Sequence, residues 1–324
     1  MAKKRGQHRR RTFLAPEVGT STSSKWATSE STSAERTLQE WLLEGPFTLV
    51  LSSSFFGFYA HAGLLTALLE AGVVPSAVAG SSGGAVIAAM WAAGLSVAQM
   101  LDALQSLTPA ELLQIARPWQ EPGGIFSTEH VQRCLQSRLE KYRLCQRLED
   151  CAVPVAISTF DVFSRQTRVL REGSIAFAIT ASLAVPFFFA PVYFEVGRPL
   201  LDGGIRDLPG LEGVSFGERV LYHHASIVPS CFTAIGRYPE SITLRIPHLP
   251  FVNPFTLGQA QPALTTAKLA TQAGLQEVLA SNPGQKELIL NKAGPPLWKD
   301  RSWLVRPSGG SFFGCCSKRR FFKE

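Results

Sequence analysis

The sequence lacks the patterns that mark metal, nucleotide and nucleic-acid sites. It contains no CxxC pair, no Cys/His spacing typical of zinc and no Gly-Lys-Ser/Thr after its glycine-rich turn. It also has no dinucleotide-binding glycine fingerprint and no basic helix with side chains suited to reading bases. We therefore expect no metal, no cofactor and no nucleic-acid partner.

The sequence has few cysteines compared with a disulfide-rich secreted chain, and its N-terminus does not match an export signal. The 324 residues include six cysteines, and a chain of this length builds a core that does not need disulfides. The N-terminus is basic but lacks the apolar stretch of roughly 7–15 residues that a secretory signal requires. We therefore expect an intracellular protein, cytoplasmic or peripherally attached to a membrane, and not a secreted one. The basic, hydroxyl-rich start leaves import into an organelle open.

The positive charge is concentrated at the two ends of the chain. Residues 1–12 hold six basic side chains and no acid, whereas the whole chain has a net charge of +7. Near the other end, Cys315 and Cys316 precede a basic and aromatic cluster. Acylation of both thiols next to positive charge would give stable peripheral membrane attachment, and a frayed tail is the alternative.

Composition divides the chain into three regions. Residues 1–38 turn from basic to Ser/Thr-rich and are predicted to be disordered. Residues 39–292 are predicted to form one domain, and residues 293–324 a tail that carries the Cys-Cys-basic cluster. The sequence does not indicate an oligomeric state.

Within the domain, apolar runs of strand type alternate with helical spacing. Strands are predicted at residues 47–51, 77–80, 153–158, 167–170, 219–223 and 242–246, and helices at 60–71, 85–93 and 262–280, with further helices after Ser96, Thr108 and Ser127. This order predicts an α/β fold with three α/β/α layers around a mostly parallel central sheet.

One segment, residues 175–194, is long enough to cross a bilayer by count. Pro186 and Pro191 would break a helix in its second half, and no basic flank anchors it. We therefore expect a core helix followed by a loop and a strand.

The motif Gly80-Ser81-Ser82-Gly83-Gly84 fits G-x-S-x-G between a predicted strand and a predicted helix. A nucleophile on such a sharp turn has a strained backbone, so its neighbours at two residues before and after must be small. Gly80 and Gly84 meet this condition, which makes Ser82 a candidate nucleophile. A simple glycine-rich turn, or one that cradles a phosphate, is the alternative.

A second motif, Leu201-Asp202-Gly203-Gly204, lies 120 residues after Ser82. Alone, an Asp-Gly pair indicates a turn. The order of the two motifs, with residues 181–192 (ASLAVPFFFAPV) between them, resembles the patatin-like phospholipases. Further similar blocks are residues 56–63 (FGFYAHAG), 207–210 (DLPG) and 222–224 (YHH), and the resemblance covers roughly residues 45–285.

This resemblance implies a patatin-like fold and a serine ester hydrolase of the phospholipase A or lipid acyl hydrolase type. Ser82 would be the nucleophile and Asp202 its base, with no histidine and no cofactor. A phospholipid or another glycerolipid of the membrane would be the substrate. The family places a glycine run after the first strand, but here the sequence has Ser52-Ser53-Ser54-Phe55. Backbone amides of Ser53, Ser54 and Phe55 would then form the oxyanion hole.

Two rival interpretations stay open. In the first, the changed loop leaves a patatin-like protein that binds lipid but is catalytically impaired. In the second, an α/β-hydrolase esterase uses Ser82, Asp202 and either His223 or His224 as a triad, although these histidines more commonly have structural roles. Aromatic residues near the motifs would either line an apolar trough for an acyl chain or pack in the core: Phe55, Phe56, Phe58, Phe187, Phe188 and Phe189.

Overall fold

The structure, a computed structural model, describes residues 36–194, 197–226, 238–279 and 286–290. The basic start and the C-terminal tail with Cys315 and Cys316 lie outside these ranges, so the predictions made for them stay predictions. Within the described part, the first element begins at Arg36.

The described residues contain a central sheet of nine strands. Its order is β13-β11-β10-β2-β3-β5-β9-β8, with β6 paired to β5. The run from β13 to β5 is parallel, whereas β6, β8 and β9 join antiparallel. The strands are β2 (Thr48–Leu51), β3 (Ala77–Ser81), β5 (Val155–Asp161), β6 (Gln166–Leu170), β8 (Val192–Phe194), β9 (Arg198–Asp202), β10 (Val220–His224), β11 (Ser241–Arg245) and β13 (Lys286–Ile289).

Two short strand pairs lie outside the central sheet. β1 (Arg36–Thr37) pairs antiparallel with β12 (Val278–Leu279), and β4 (Gly124–Phe126) pairs in parallel with β7 (Phe187–Phe189). The first pair holds the beginning of the described chain against the segment after the last helix.

Eight helices connect and cover the strands of the described part. They are α1 (Leu38–Leu43), α2 (Phe58–Glu70), α3 (Gly83–Ala92), α4 (Val97–Gln105), α5 (Pro109–Leu112), α6 (Thr128–Lys141), α7 (Ile175–Leu183) and α8 (Ala260–Gly274). Helices α4 and α5 begin with capping boxes at Ser96 and Thr108, and Ser127 caps α6. The sequence predicted all three starts.

Both faces of the sheet are covered. Leu49 and Leu51 of β2 belong to the larger buried cluster, which contains the helices. Val50, which points to the opposite face, packs in a smaller cluster with Leu211 and Tyr238. The predicted α/β class with a mostly parallel central sheet is confirmed.

The apolar segment at residues 175–194 forms α7 and then the short strands β7 and β8. Among the described residues, no helix has both the length and the apolar character needed to cross a bilayer. The predicted core helix followed by a loop and strand is therefore confirmed.

The last predicted helix was wrong at its C-terminal end. The sequence predicted residues 262–280, but α8 runs over Ala260–Gly274. The chain leaves the helix at Leu275, and Val278 and Leu279 pair with β1 instead. Pairing between segments more than two hundred residues apart overrides the local preference for helix.

Candidate active site

Ser82 stands at the turn between β3 and α3, where it is the N-cap of the helix. Its backbone angles are φ 50° and ψ −121°, a strained conformation for a residue with a Cβ. The chain turns sharply here because Gly80 packs on the backbone of Gly84. A Cβ at Gly84 would lie 2.1 Å from the carbonyl oxygen of Leu51. The two glycines therefore allow the helix to approach the ends of the strands.

The sheet brings Asp202 to Ser82 across one intervening strand. In the register, Ser81 of β3 pairs with Ser158 of β5, and the next residue of β5, Thr159, pairs with Asp202 at the end of β9. The Ser82 hydroxyl donates to Asp202 Oδ2 at 2.6 Å. Both side chains are buried, with 3% and 5% of their surface exposed.

The environment of Asp202 makes its carboxylate a stronger base than a solvated one. Burial raises the pKa of Asp202 to about 6, opposed by the hydrogen bonds from the Ser82 hydroxyl and the Gly204 amide. Gly204 donates its N–H to Asp202 Oδ1 at 2.7 Å, which fixes the carboxylate plane. Gly203 must lack a side chain, because a Cβ there would lie 2.2 Å from the carbonyl oxygen of Ser158.

A chain of buried polar groups supports the nucleophile from behind. The Ser82 amide donates to Ser182 Oγ at 2.8 Å, and the Ser182 hydroxyl donates to the carbonyl oxygen of Ser158 at 2.7 Å. The Ser158 hydroxyl in turn donates to Asp207, which also accepts three backbone amides. Sequence reasoning gave Ser182 and Ser158 no role. A lone serine near the end of the apolar helix α7 was the available signal.

The loop after β2 provides only part of the predicted oxyanion hole. Ser53 donates its amide to the carbonyl oxygen of Leu208 at 2.7 Å, so this N–H is not available to a substrate. The expectation for Ser53 is wrong for this reason. The amides of Ser54 and Phe55 donate to no acceptor within the described ranges. Phe55 has φ 53°, so it adopts the left-handed conformation that a glycine would adopt more easily.

Gly83 packs against the Phe55 carbonyl and the Ser54 hydroxyl. A Cβ on Gly83 would lie 2.4 Å from the carbonyl oxygen of Phe55 and 2.7 Å from Ser54 Oγ. Gly83 also contributes the first amide of α3, which has no partner inside the helix. The Ser54 hydroxyl is buried and has no hydrogen-bond partner in the described part of the chain. The unpartnered Ser54 hydroxyl therefore lies next to the first residue of α3, beside the nucleophile.

His61, His223 and His224 lie in the core and bond to one another, to tyrosine or to the backbone. His61 and His223 are hydrogen-bonded through their Nδ1 atoms at 2.8 Å, and His61 Nε2 bonds the carbonyl oxygen of Ser52 at 2.9 Å. His224 Nδ1 bonds the Tyr222 hydroxyl at 2.8 Å. The structure therefore does not bring His223 or His224 into a triad, because Ser82 contacts Asp202 directly.

The aromatic residues near the motifs divide into two groups. Phe58 is buried, whereas Phe55, Phe188 and Phe187 are 42%, 52% and 82% exposed. Phe126 and Phe189 pack together across the β4–β7 pair, with ring centroids 5.9 Å apart. Phe55, Phe187 and Phe188 therefore lie at the surface, whereas Phe58 packs in the core and Phe56 packs against it.

The chain is similar to known proteins over about half of its length. A family model described as patatin-like phospholipase matches residues 49–212. Uncharacterized NTE family proteins of Mycobacterium bovis and Mycobacterium tuberculosis are 31% identical over 159 residues, which is 49% of this chain and 42% of theirs. The neuropathy target esterase of Drosophila sechellia is 25% identical over 181 residues, 53% of this chain and 12% of that protein. The chain thus spans less than half the length of these relatives.

Two solved structures are also similar. VipD from Legionella pneumophila superposes with a TM-score of 0.38 at 14% identity, over 68% of this chain and 53% of that one. The type III effector ExoU gives 0.41 at 16% identity, over 71% and 53%. The family model covers about half of this sequence and includes both Ser82 and Asp202. The chain therefore belongs to the patatin-like phospholipase family.

Proposed function

We propose that the protein is a lipid acyl hydrolase that cleaves carboxylic esters of phospholipids or other glycerolipids with a Ser82–Asp202 dyad. The observation that carries this proposal is the hydrogen bond of 2.6 Å from Ser82 Oγ to Asp202 Oδ2. A hydroxyl at the start of a helix, bonded to a buried carboxylate, is the arrangement of an activated nucleophile.

In the first half of the reaction, Ser82 Oγ attacks the ester carbonyl carbon while Asp202 Oδ2 accepts the hydroxyl proton. The negative charge moves to the carbonyl oxygen, and in this proposal the amides of Ser54, Phe55 and Gly83 and the Ser54 hydroxyl donate hydrogen bonds to it. The tetrahedral intermediate then collapses. The bond to the alcohol or lysolipid breaks, Asp202 returns the proton to that oxygen, and the acyl group stays on Ser82.

In the second half, a water molecule replaces the alcohol. Asp202 accepts a proton from the water as its oxygen attacks the acyl-enzyme carbonyl, and the same donors stabilise the second tetrahedral intermediate. Collapse releases the fatty acid, and the proton returns from Asp202 to Ser82 Oγ. The dyad is thereby restored.

A lipid substrate is supported by the family and by the surface of the protein. The family model is named for phospholipases, and the Drosophila relative is named an esterase. The exposed Phe187 and Phe188 lie in the segment between α7 and β8, which starts at Ala184, the residue whose carbonyl oxygen accepts the Asp202 amide. We also propose peripheral membrane attachment through the basic ends and acylation of Cys315 and Cys316.

Labelling with a fluorophosphonate probe tests the proposal. We expect covalent modification of Ser82, found by mass spectrometry of the labelled peptide. Ser82→Ala and Asp202→Asn should each lower esterase turnover by about 10⁴-fold. Ser81→Ala is the matched control, because this neighbouring hydroxyl is buried and makes no hydrogen bond in the described residues. Near-full activity of Ser82→Ala or Asp202→Asn would exclude the dyad.

The oxyanion loop favours one second candidate, a lipid-binding protein without turnover. The family's glycine run is absent, the Ser53 amide is already bonded to Leu208, and Phe55 is in a strained conformation. This candidate predicts that lipid binds to the protein while the probe does not label Ser82. Labelling of Ser82 by the same probe would exclude it.

A further inference from the structure

An apolar cavity that is partly open to the surface lies between α3 and the helices α4 and α6. Its volume is about 80 Å³, and its walls are almost entirely apolar. The lining side chains include Val86, Ile87 and Met90 of α3, Met100, Ala103 and Leu104 of α4, Val131 and Leu135 of α6, and Leu183 of α7.

Two residues that line the cavity follow Ser82 or its hydrogen-bond partner closely along the chain. Val86 follows Ser82 by four residues along α3, which is one helical turn or roughly 6 Å. Leu183 follows Ser182, the residue whose Oγ accepts the Ser82 amide. Both residues line the cavity, so its wall is continuous with the elements that hold the nucleophile.

The two charged side chains that line the cavity form an ion pair with each other. Arg138 Nη2 and Glu111 Oε1 form an ion pair at 3.0 Å, and both residues line the cavity. Glu111 also accepts the hydroxyl and the amide of Thr108. Because these charges are paired, the cavity offers no free polar group to a ligand and suits a hydrocarbon.

We propose that this cavity binds the acyl chain of the ester and that its depth sets the preferred chain length. The inference rests on the proposed hydrolase function and deepens it. An acyl carbon held at Ser82 Oγ has its hydrocarbon tail within one helical turn of Val86, where burial of methylene groups stabilises the complex.

Two methionines allow the cavity to adapt. An engineered apolar cavity of about 150 Å³ stays dry and binds benzene, so a cavity of about 80 Å³ holds only a short chain segment as it stands. Met90 and Met100 are unbranched and flexible, and their rearrangement extends the space without moving the backbone. Shortening Met100 of α4 would enlarge the cavity without altering α3, the helix that begins after Ser82.

Two variants with opposite effects on volume test the proposal. The assay uses a series of p-nitrophenyl esters from acetate to dodecanoate, and the result is the ratio of kcat/KM for the longest to that for the shortest. Met100→Ala should raise this ratio about tenfold and Ala103→Leu should lower it about tenfold, within the range that one methylene contributes in an apolar pocket. Leu139→Ala is the control, because Leu139 is buried in α6 but does not line the cavity, and it should keep the wild-type ratio.

A binding measurement separates this inference from the hydrolase proposal. The fluorescent fatty acid cis-parinaric acid is titrated into Ser82→Ala protein with and without each cavity substitution. Opposite shifts of its Kd in the two variants support the cavity, even if the wild-type protein hydrolyses no ester. Identical ester ratios and identical Kd values in wild type, Met100→Ala and Ala103→Leu overturn the inference while leaving the dyad in place. If Ala103→Leu does not fold, the direction of the Met100→Ala shift decides.

Discussion

The two oxygens of Asp202 have different donors: the Ser82 hydroxyl donates to Oδ2, and the Gly204 amide donates to Oδ1. The carboxylate of Asp202 is therefore oriented before a substrate binds, with Oδ2 directed at the Ser82 hydroxyl. This division of the two oxygens determines how the site responds to pH, because protonation at Oδ2 removes the acceptor that Ser82 needs.

The first prediction concerns the pH dependence of turnover. Since burial raises the pKa of Asp202 to about 6, kcat/KM should rise with pH through about 6 and stay level above it. The measurement is a pH–rate profile with a soluble ester. A His223→Gln variant is the control and should show the same limb, because His223 bonds His61 and not the dyad. Loss of this rise of kcat/KM with pH in the His223→Gln variant would contradict the Ser82–Asp202 dyad.

The second prediction concerns stability. A folded-state pKa above the unfolded value of 3.8 means that Asp202 stabilises the fold when protonated, and this contribution is lost as pH rises through about 6. The shift corresponds to about 3 kcal/mol. Asp202→Asn keeps an acceptor for the Gly204 amide and removes the buried charge. It should be more stable than wild type by up to about 3 kcal/mol near pH 8, with the difference vanishing near pH 4.

Urea unfolding at both pH values measures this difference. An equal difference at the two pH values would show that the carboxylate's ionisation is not its cause.

The third prediction uses the backbone strain at Ser82. Its φ of 50° is one that glycine adopts without a steric penalty. Both Ser82→Gly and Ser82→Ala remove the hydroxyl, but only glycine relieves the strain. We expect the free energy of unfolding of Ser82→Gly to be about 1 kcal/mol higher than that of Ser82→Ala. Equal stability of the two inactive variants would mean that the turn is not strained.

The fourth prediction assigns a role to the Ser54 side chain. Its hydroxyl is buried without a partner among the described residues and lies beside Gly83. If it donates to the oxyanion, both Ser54→Ala and Ser54→Gly should lower kcat by about 10²-fold. Neither should lower the melting temperature, because an unpaired buried hydroxyl is costly to the fold. A wild-type kcat in Ser54→Gly would show that backbone amides alone suffice.

The fifth prediction concerns Gly84, the second residue after the nucleophile. A Cβ at Gly84 would lie 2.1 Å from the carbonyl oxygen of Leu51, which is backbone and cannot move freely. Gly84→Ala should therefore cost about 4 kcal/mol or more of unfolding free energy. Gly258→Ala is the matched control, because no atom lies within 4 Å of its Cβ position. Similar melting temperatures for the two variants would contradict this packing.

The sequence predicted the elements near the nucleophile well. Residues 77–80 and 85–93 form a short apolar strand and an alanine-rich helix, and the structure has β3 and α3 there. These elements have strong local signals, and the glycines between them leave few alternatives. The pairing of Ser82 with Asp202, in contrast, came from family resemblance. It depends on β5 lying between β3 and β9, which no local pattern encodes.

Other features were missed because they are made by distant contacts. The pair β4–β7 joins three-residue strands more than sixty residues apart, too short to show an alternating pattern. The Ser53 amide was expected to be free, but it bonds Leu208 in the loop after Asp202. Local sequence indicates which residues can act as donors, whereas the fold determines which of them are already bonded.

The hydrogen bond between His61 and His223 makes the stability of the fold depend on pH in the acid range. Since the Ser52 carbonyl can only accept, His61 Nε2 carries the proton and His61 Nδ1 accepts from His223. A second proton on His61 would set two N–H groups against each other. Burial lowers the pKa of His61 to about 4, so stability from the neutral ring is complete above pH 6.5 and is lost as pH falls towards 4. Acidification should therefore first release the strand end that leads into the loop of Ser54 and Phe55.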